Sequence, residues 1–93
     1  MQNPVGPILR MNDDMDAIVS AIRADNPGKE IEVIDRAAYV RVQAEDELKV
    51  TRATLEEHLG RDFEMRELET MLSSFAGRID SGSDGIRWYF SVN

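Results

Sequence analysis

The chain has 93 residues, 42% of them hydrophobic, a length and composition that fit one folded domain. Its net charge of −7 disfavours binding to nucleic acid or to an anionic membrane surface, because both partners attract the opposite charge. No cysteine is present, and no apolar run approaches the roughly 20 residues that cross a bilayer. Disulfides, thiolate chemistry and a membrane-spanning helix are therefore excluded, and we expect a cytoplasmic protein without a signal peptide.

The start of the chain predicts one strand and one helix. Residues 5–10 are short and apolar, and Pro7 within them favours an edge strand because proline cannot donate a backbone hydrogen bond. Apolar residues then recur with helical spacing over residues 15–22. Asn12 or Asp13 can cap this helix at its start, and the following Asn-Pro-Gly sequence ends it.

Alternating apolar and polar residues next predict a hairpin of two strands. Ile31 and Val33 alternate with glutamates, and Val40 and Val42 alternate with polar neighbours. Each strand therefore has one buried face, and residues 35–37 form the turn between them.

The middle of the chain predicts a third strand and two helices. Residues 48–50 begin a short strand after a charged turn. Thr51 or Thr54 can cap a second helix, which ends at Gly60. A third helix is predicted over residues 65–77, where apolar residues lie on one side and a glycine ends the pattern.

The last part of the chain predicts two strands joined by a turn at residues 81–85. Alternation in the final strand places Ile86, Trp88, Phe90 and Val92 on one face, which we expect to be buried. The predicted fold is α+β: a single small domain spanning residues 1–93, with antiparallel β-hairpins packed against about three helices and a flexible end at residues 1–4.

No residue pattern predicts a catalytic, cofactor or metal site. The single histidine, His58, lies among glutamates on a predicted surface helix, with no cysteine to pair with it. The Glu-x-x-His motif of diiron carboxylate bundles is absent. The Gly28-Lys29 pair lacks the other residues of a phosphate-binding loop.

One segment is unusual because it is small and uncharged within a heavily charged chain. Residues 73–77 read Ser-Ser-Phe-Ala-Gly and lie between the apolar residues of the third predicted helix and the next predicted strand. Such a segment can press against a partner protein without desolvating charge. The alternative is a tight helix exit that turns Phe75 into the core, and the sequence leaves both open.

Eight short blocks span nearly the whole chain in a fixed order: residues 5–8, 25–31, 38–41, 54–57, 59–61, 67–69, 74–77 and 86–90. Together they resemble the effector proteins, also called coupling or regulatory proteins, of multicomponent soluble diiron monooxygenases. The resemblance is closest to the effector proteins of the toluene and benzene monooxygenases, and more distant for those of phenol hydroxylase and methane monooxygenase.

The resemblance implies a non-catalytic α+β protein without a cofactor, monomeric when free. Its implied partner is the hydroxylase, which holds the diiron centre, and its implied effects are on turnover, coupling and regioselectivity. In the more distant relatives, the segment that matches residues 73–78 of this chain approaches the hydroxylase surface over the active site. The interface candidates carried over are Ser73, Ser74, Phe75, Ala76, Gly77 and Arg78.

The phenol hydroxylase and methane monooxygenase relatives have a small polar residue at the position where this chain has Phe75.

A generic small α+β protein-interaction module, unrelated to oxygenases, is the alternative function. A small enzyme that uses carboxylates alone is a third hypothesis.

Overall fold

The structure, a computed structural model, describes residues 1–92. In chain order these residues form β1 (Pro4–Arg10), α1 (Met15–Asp25), β2 (Glu32–Asp35), β3 (Tyr39–Glu45), β4 (Glu47–Thr51), α2 (Arg52–Leu59), α3 (Met65–Met71), β5 (Leu72–Ala76), β6 (Arg78–Gly82) and β7 (Gly85–Tyr89). The strand pairs are antiparallel, and the predicted α+β class is confirmed.

The strands form two sheets, one with the order β2-β3-β1-β5 and one with the order β4-β7-β6. The chain passes directly from the first sheet to the second at two points: Asp46, between β3 and β4, and Gly77, between β5 and β6. Both residues have a positive φ, of 67° and 89°. Both crossings lie at the end of β7: the N–H of Phe90 donates to the carbonyl oxygen of Asp46, and a Cβ on Gly77 would lie 2.8 Å from the carbonyl oxygen of Tyr89.

The prediction that residues 5–10 form an edge strand is wrong, since β1 lies between β3 and β5. Its pairs with β3 include Val5 and Ile8 but skip Gly6 and Pro7. The missing N–H of Pro7 therefore falls in a gap of the ladder, where the sheet tolerates it. A Cβ on Gly6 would lie 2.0 Å from the carbonyl oxygen of Val42, so only glycine allows this approach.

The core lies between the helices and the inner faces of the two sheets. Helix α1 buries Met15, Ile18 and Ile22, as its predicted apolar stripe requires, and it packs on α2 and β4. Trp88 of β7 is 0% exposed and pairs with Leu48 on one side. The predicted burial of Trp88 is confirmed. None of the helices in residues 1–92 has the length and apolar character that a membrane-spanning helix needs.

Two elements, α3 and β7, are shorter in the structure than the sequence predicts. Helix α3 ends at Met71 rather than Gly77, because residues 72–76 pair with β1 as strand β5. Strand β7 ends at Tyr89, which pairs with the first residue of β4. Phe90 and Val92 lie beyond the end of that partner strand and are 43% and 86% exposed, so their predicted burial is wrong.

Side-chain hydrogen bonds join helix α1, strand β4 and helix α2 at the place where these three elements meet. The carboxylate of Asp25 accepts hydrogen bonds from the backbone N–H of Thr51 at 2.7 Å and from the hydroxyl of Thr54 at 2.7 Å. Thr51 is the N-cap of α2, and its hydroxyl accepts from the N–H of Thr54, as predicted. Asp25 therefore joins the end of one helix to the start of the next.

The N-terminal residues contact the first crossing point. The backbone N–H groups of Gln2 and Asn3 donate to the carboxylate of Glu45, and the N–H of Asp46 donates to the carbonyl of Asn3 at 3.0 Å. The ammonium of Lys29 donates to the carbonyls of residues 45 and 47. The flexibility of residues 1–4 stays a prediction.

Candidate functional site

The six predicted interface residues form one continuous exposed edge. Residues 73–76 belong to β5, Gly77 is the second crossing point, and Arg78 begins β6. All six are exposed, and Phe75 is 40% exposed. The structure thus answers the question that the sequence left open, since Phe75 does not enter the core.

Strands β5 and β6 are the end strands of their respective sheets. Within residues 1–92, β5 pairs only with β1 and β6 only with β7. Each therefore has one backbone edge that no strand of the described chain covers. Open edges of this kind commonly mark surfaces where another protein binds.

Gly77 fixes the position of this exposed edge. A Cβ at Gly77 would lie 2.6 Å from Cγ1 of Val5 and 2.8 Å from the carbonyl oxygen of Tyr89. Real Cβ atoms do not approach other atoms so closely, so the backbone here touches both β1 and β7 and has little room to move. The segment is exposed yet held by close packing, which suits a preformed docking surface.

A shallow hollow of about 180 Å³ lies beside β5, on the outer face of the four-stranded sheet. Its lining comes from three strands: Gly6, Ile8, Arg41, Gln43, Ser74, Phe75 and Ala76. A second cavity of about 420 Å³ lies beside the other end of the segment, next to Gly77, Arg78, Phe90 and the N-terminal residues. The candidate segment therefore lines one cavity with Ser74, Phe75 and Ala76 and the other with Gly77 and Arg78.

Charge is unevenly distributed between the helical layer and the strand layer of the molecule. The helical regions, residues 12–25 and 52–71, contain ten acidic and four basic residues. The remaining residues, mainly strands, contain eight acidic and seven basic residues. The candidate segment therefore lies on the layer that is close to neutral, whereas most of the net negative charge belongs to the helical layer.

Comparison with known proteins identifies the family. The profile of the MmoB/DmpM family matches residues 3–89, which is nearly the whole chain. The chain belongs to the MmoB/DmpM family. The effector-protein resemblance read from the sequence is confirmed.

Two curated relatives of this MmoB/DmpM family member carry effector functions in their names. It is 45% identical over 89 residues to the effector subunit of the alkene monooxygenase system of Xanthobacter autotrophicus, covering 96% of this chain and 88% of that protein. It is 33% identical over 73 residues to the stimulatory component DmpM of phenol 2-monooxygenase from a Pseudomonas species, covering 78% and 79%. The chain is an effector, or regulatory, component of a multicomponent monooxygenase system.

Solved structures of this family share the fold. A chain in a phenol hydroxylase–regulatory protein complex matches with a TM-score of 0.82 at 33% identity, covering 95% of this chain and 99% of that chain. The soluble methane monooxygenase regulatory protein B matches with a TM-score of 0.71, covering 97% of this chain and 67% of that one. Because its identity is 22%, the second likeness bears on the fold alone.

Two arginines of the helical layer in this MmoB/DmpM protein, Arg52 and Arg61, make internal ion pairs. Arg61 pairs with Asp14 at 3.1 Å and with Glu67 at 3.4 Å, and Arg52 pairs with Glu56 at 3.3 Å. The pairs of Arg61 connect the loop after α2 to the start of α1 and to α3, whereas the pair of Arg52 with Glu56 lies within α2, so these two arginines have a structural role.

Backbone hydrogen bonds perturb two carboxyl groups of the same layer. The N–H of Phe63 donates to Glu56 at 2.9 Å, and this bond, more than the nearby Arg52, lowers the pKa of Glu56. The N–H of Glu64 donates to Glu67 at 2.8 Å and likewise lowers the pKa of Glu67, with a smaller effect from Arg61. Both glutamates accept hydrogen bonds from backbone N–H groups of the loop between α2 and α3. Their lowered pKa values therefore result from contacts that stabilise this loop.

Residues 1–92 contain no group of three or more histidine, cysteine, aspartate or glutamate side chains arranged to hold a metal ion. His58 is exposed on α2, as predicted for a surface helix histidine. Sequence reasoning missed the hollow and its residues Ile8, Arg41 and Gln43. They come from β1 and β3, far from β5 in sequence, and only the strand order brings them together.

Proposed function

We propose that this chain docks on the hydroxylase of a multicomponent diiron monooxygenase and improves turnover, coupling and regioselectivity. The observation that carries the proposal is its likeness, at 33% identity over 95% of the chain, to a protein chain in a phenol hydroxylase–regulatory protein complex. The chain itself acts as a non-catalytic component. The diiron centre that supplies the oxygen chemistry is expected in the partner.

A subunit without chemistry of its own changes a reaction by binding different states of its partner with different affinities. A protein bound over an active-site entrance can also restrict the access of water and substrate. Both effects would raise the amount of product formed per reductant consumed.

The proposed contact is the segment Ser73–Arg78. Its side chains at positions 73–76 are uncharged and exposed, so they can be covered without the cost of desolvating charge. Its backbone is held in place by the packing of Gly77, so docking would order few additional groups. Phe75 is the large apolar side chain of this edge and is the expected anchor.

The substrate is proposed to be an aromatic hydrocarbon of the toluene and benzene class. This rests on the sequence resemblance, whereas the curated relatives are named for alkene and phenol systems. The reconstituted system should therefore be assayed with toluene, propene and phenol in parallel. A system that oxidises propene or phenol but not toluene would contradict this part of the proposal. We also propose a cytoplasmic location and a monomeric state when free.

The docking site is tested by Ser74→Glu, with Ser20→Glu as a matched control on the exposed side of α1. Both variants add the same charge at an exposed serine, so both should fold with nearly unchanged stability. Ser74→Glu should weaken hydroxylase binding by roughly 1–3 kcal/mol and lower product per reductant at limiting concentrations. Ser20→Glu should behave like the wild type.

Each variant is titrated into a system of reductase, ferredoxin and hydroxylase, and thermal unfolding of the free protein is measured alongside. If folded Ser74→Glu saturates at the wild-type concentration and restores full coupling, the segment is not the contact. If Ser20→Glu is the weaker binder, docking occurs through the helical layer.

A further inference from the structure

The hollow beside β5 results from small residues on neighbouring strands. Gly6 pairs with Ala76, and Ile8 pairs with Ser74 on one side and with Arg41 on the other. Because glycine, alanine and serine fill little space, the outer face of the sheet is indented here to a volume of about 180 Å³. The space suits one side chain of the size of leucine or phenylalanine.

The hollow is apolar at its base and polar at its rim. Ile8 is partly exposed at the base, and Phe75 lies on the side of β5. Arg41 and Gln43 stand on the opposite side, on β3. An apolar side chain placed in the hollow would thus have Arg41 and Gln43 on one side and Ser74 and Phe75 on the other.

Arg41 is exposed and makes no ion pair or side-chain hydrogen bond with any part of the described chain. Within residues 1–92, Arg52, Arg61 and Arg87 each pair with at least one carboxylate, whereas Arg23, Arg36 and Arg66 share the unpaired state of Arg41. Arg41 differs from these three in lining the hollow. In a chain with 18 acidic residues, an arginine without a carboxylate partner is available to one supplied from outside.

We infer that the hollow receives an apolar side chain from the hydroxylase surface and that a neighbouring carboxylate of the hydroxylase pairs with Arg41. This rests on the proposed function and extends the contact from β5 across β1 to β3. The hollow is continuous with the Ser73–Arg78 segment, since Ser74 and Ala76 belong to both. An anchor residue in a pocket with an arginine at its rim is a common source of binding energy at protein interfaces.

Two variants test the two halves of the inference. Arg41→Glu reverses the charge at the rim, and Ala76→Leu fills the hollow without changing charge. Arg23→Glu and Ala24→Leu make the same changes at exposed positions of α1 and serve as controls. We expect each test variant to raise the Kd for the hydroxylase about tenfold or more, and each control to leave it within about twofold.

Binding is measured by calorimetry with the purified hydroxylase, after circular dichroism has shown that every variant is folded. If both test variants bind like the wild type while the wild type stimulates product formation, the hollow is not a contact and the proposed function stands. If the wild type neither binds the hydroxylase nor stimulates it, the proposed function itself fails.

The carboxylate is tested separately with Arg41→Gln at increasing salt concentration. An exposed ion pair is screened by salt, so the difference in affinity between the wild type and Arg41→Gln should shrink as salt rises. A difference that is independent of salt, or no difference at low salt, would show that Arg41 has no carboxylate partner and would overturn that half of the inference.

Discussion

Replacing Trp88 by alanine should nearly abolish the stability of the free protein. The side chain is 0% exposed and lies between β4 and β6, paired with Leu48 and Ile79. A tryptophan buries roughly 150–250 Å². At about 25 cal/mol per Å² this corresponds to roughly 4–6 kcal/mol, part of which the alanine retains. We therefore expect a loss of about 3–5 kcal/mol, in line with other large-to-small core substitutions.

Two further variants make the Trp88 test specific. Trp88→Phe keeps an aromatic ring and removes the indole N–H, which has no hydrogen-bond acceptor in the described chain. The removed donor offsets part of the lost packing, so its cost should stay below about 1.5 kcal/mol. Phe90→Ala, at an exposed position just beyond the same strand, should cost less than about 1 kcal/mol.

Stability is measured by urea unfolding followed by far-ultraviolet circular dichroism, since Trp88 is the single tryptophan and fluorescence would be lost with it. For a domain of this size each kcal/mol corresponds to roughly 4–8 °C in Tm, so the alanine variant should melt at least about 12 °C lower. A loss below 1 kcal/mol in Trp88→Ala, or an equal loss in Phe90→Ala, would refute the assigned inner face of β7.

Three other predictions concern the junctions of the fold. Gly77→Ala should destabilise by about 1–3 kcal/mol in urea unfolding, more than Gly60→Ala, because both have positive φ but only Gly77 is crowded by neighbouring atoms. The stability that Glu56 contributes should be present above its ordinary pKa of 4.5 and lost as the pH falls through its lowered folded value, so the pH dependence of Tm should flatten in Glu56→Gln but not in Glu57→Gln. Asp25→Asn should lower the free energy of unfolding by about 1–3 kcal/mol, because it weakens the hydrogen bonds that join two helices.

Each of these has an outcome that contradicts its reasoning. Equal losses of unfolding free energy in Gly77→Ala and Gly60→Ala would show that the positive φ, and not the crowding at Gly77, determines the cost at both positions. An unchanged pH profile in Glu56→Gln would mean that its backbone hydrogen bond is not formed in solution. For Asp25→Asn the control is Asp16→Asn on the exposed side of α1, and equal unfolding energies would contradict the assigned junction.

The sequence predicts elements well where local signals agree. The stripe over residues 15–22 gave α1, Thr51 and Gly60 marked the ends of α2, and alternation around Val40 and Leu48 gave β3 and β4. These signals depend on neighbours within one turn or one strand, so a single sequence contains them.

The errors arise where distant strands decide the structure. Leu72 continues the apolar helical pattern of α3 and Gly77 marks a helix end, but pairing with β1 makes residues 72–76 a strand. Pro7 indicates an edge, but the gap opposite Gly6 and Pro7 lets the strand lie inside the sheet. Phe90 keeps the alternation of β7, but its partner strand has ended. The candidate segment was recognisable by its neutral composition, whereas the hollow depends on strand order.

The central claim is that this chain makes a hydroxylase use reductant for product formation. The most direct measurement is the ratio of hydroxylated product to reductant consumed, as the chain is titrated into a fixed amount of reductase, ferredoxin and hydroxylase. We expect the ratio to rise and saturate, and Ser74→Glu to shift the curve to higher concentration. A ratio that stays constant across the titration, while the protein is folded, would contradict the account.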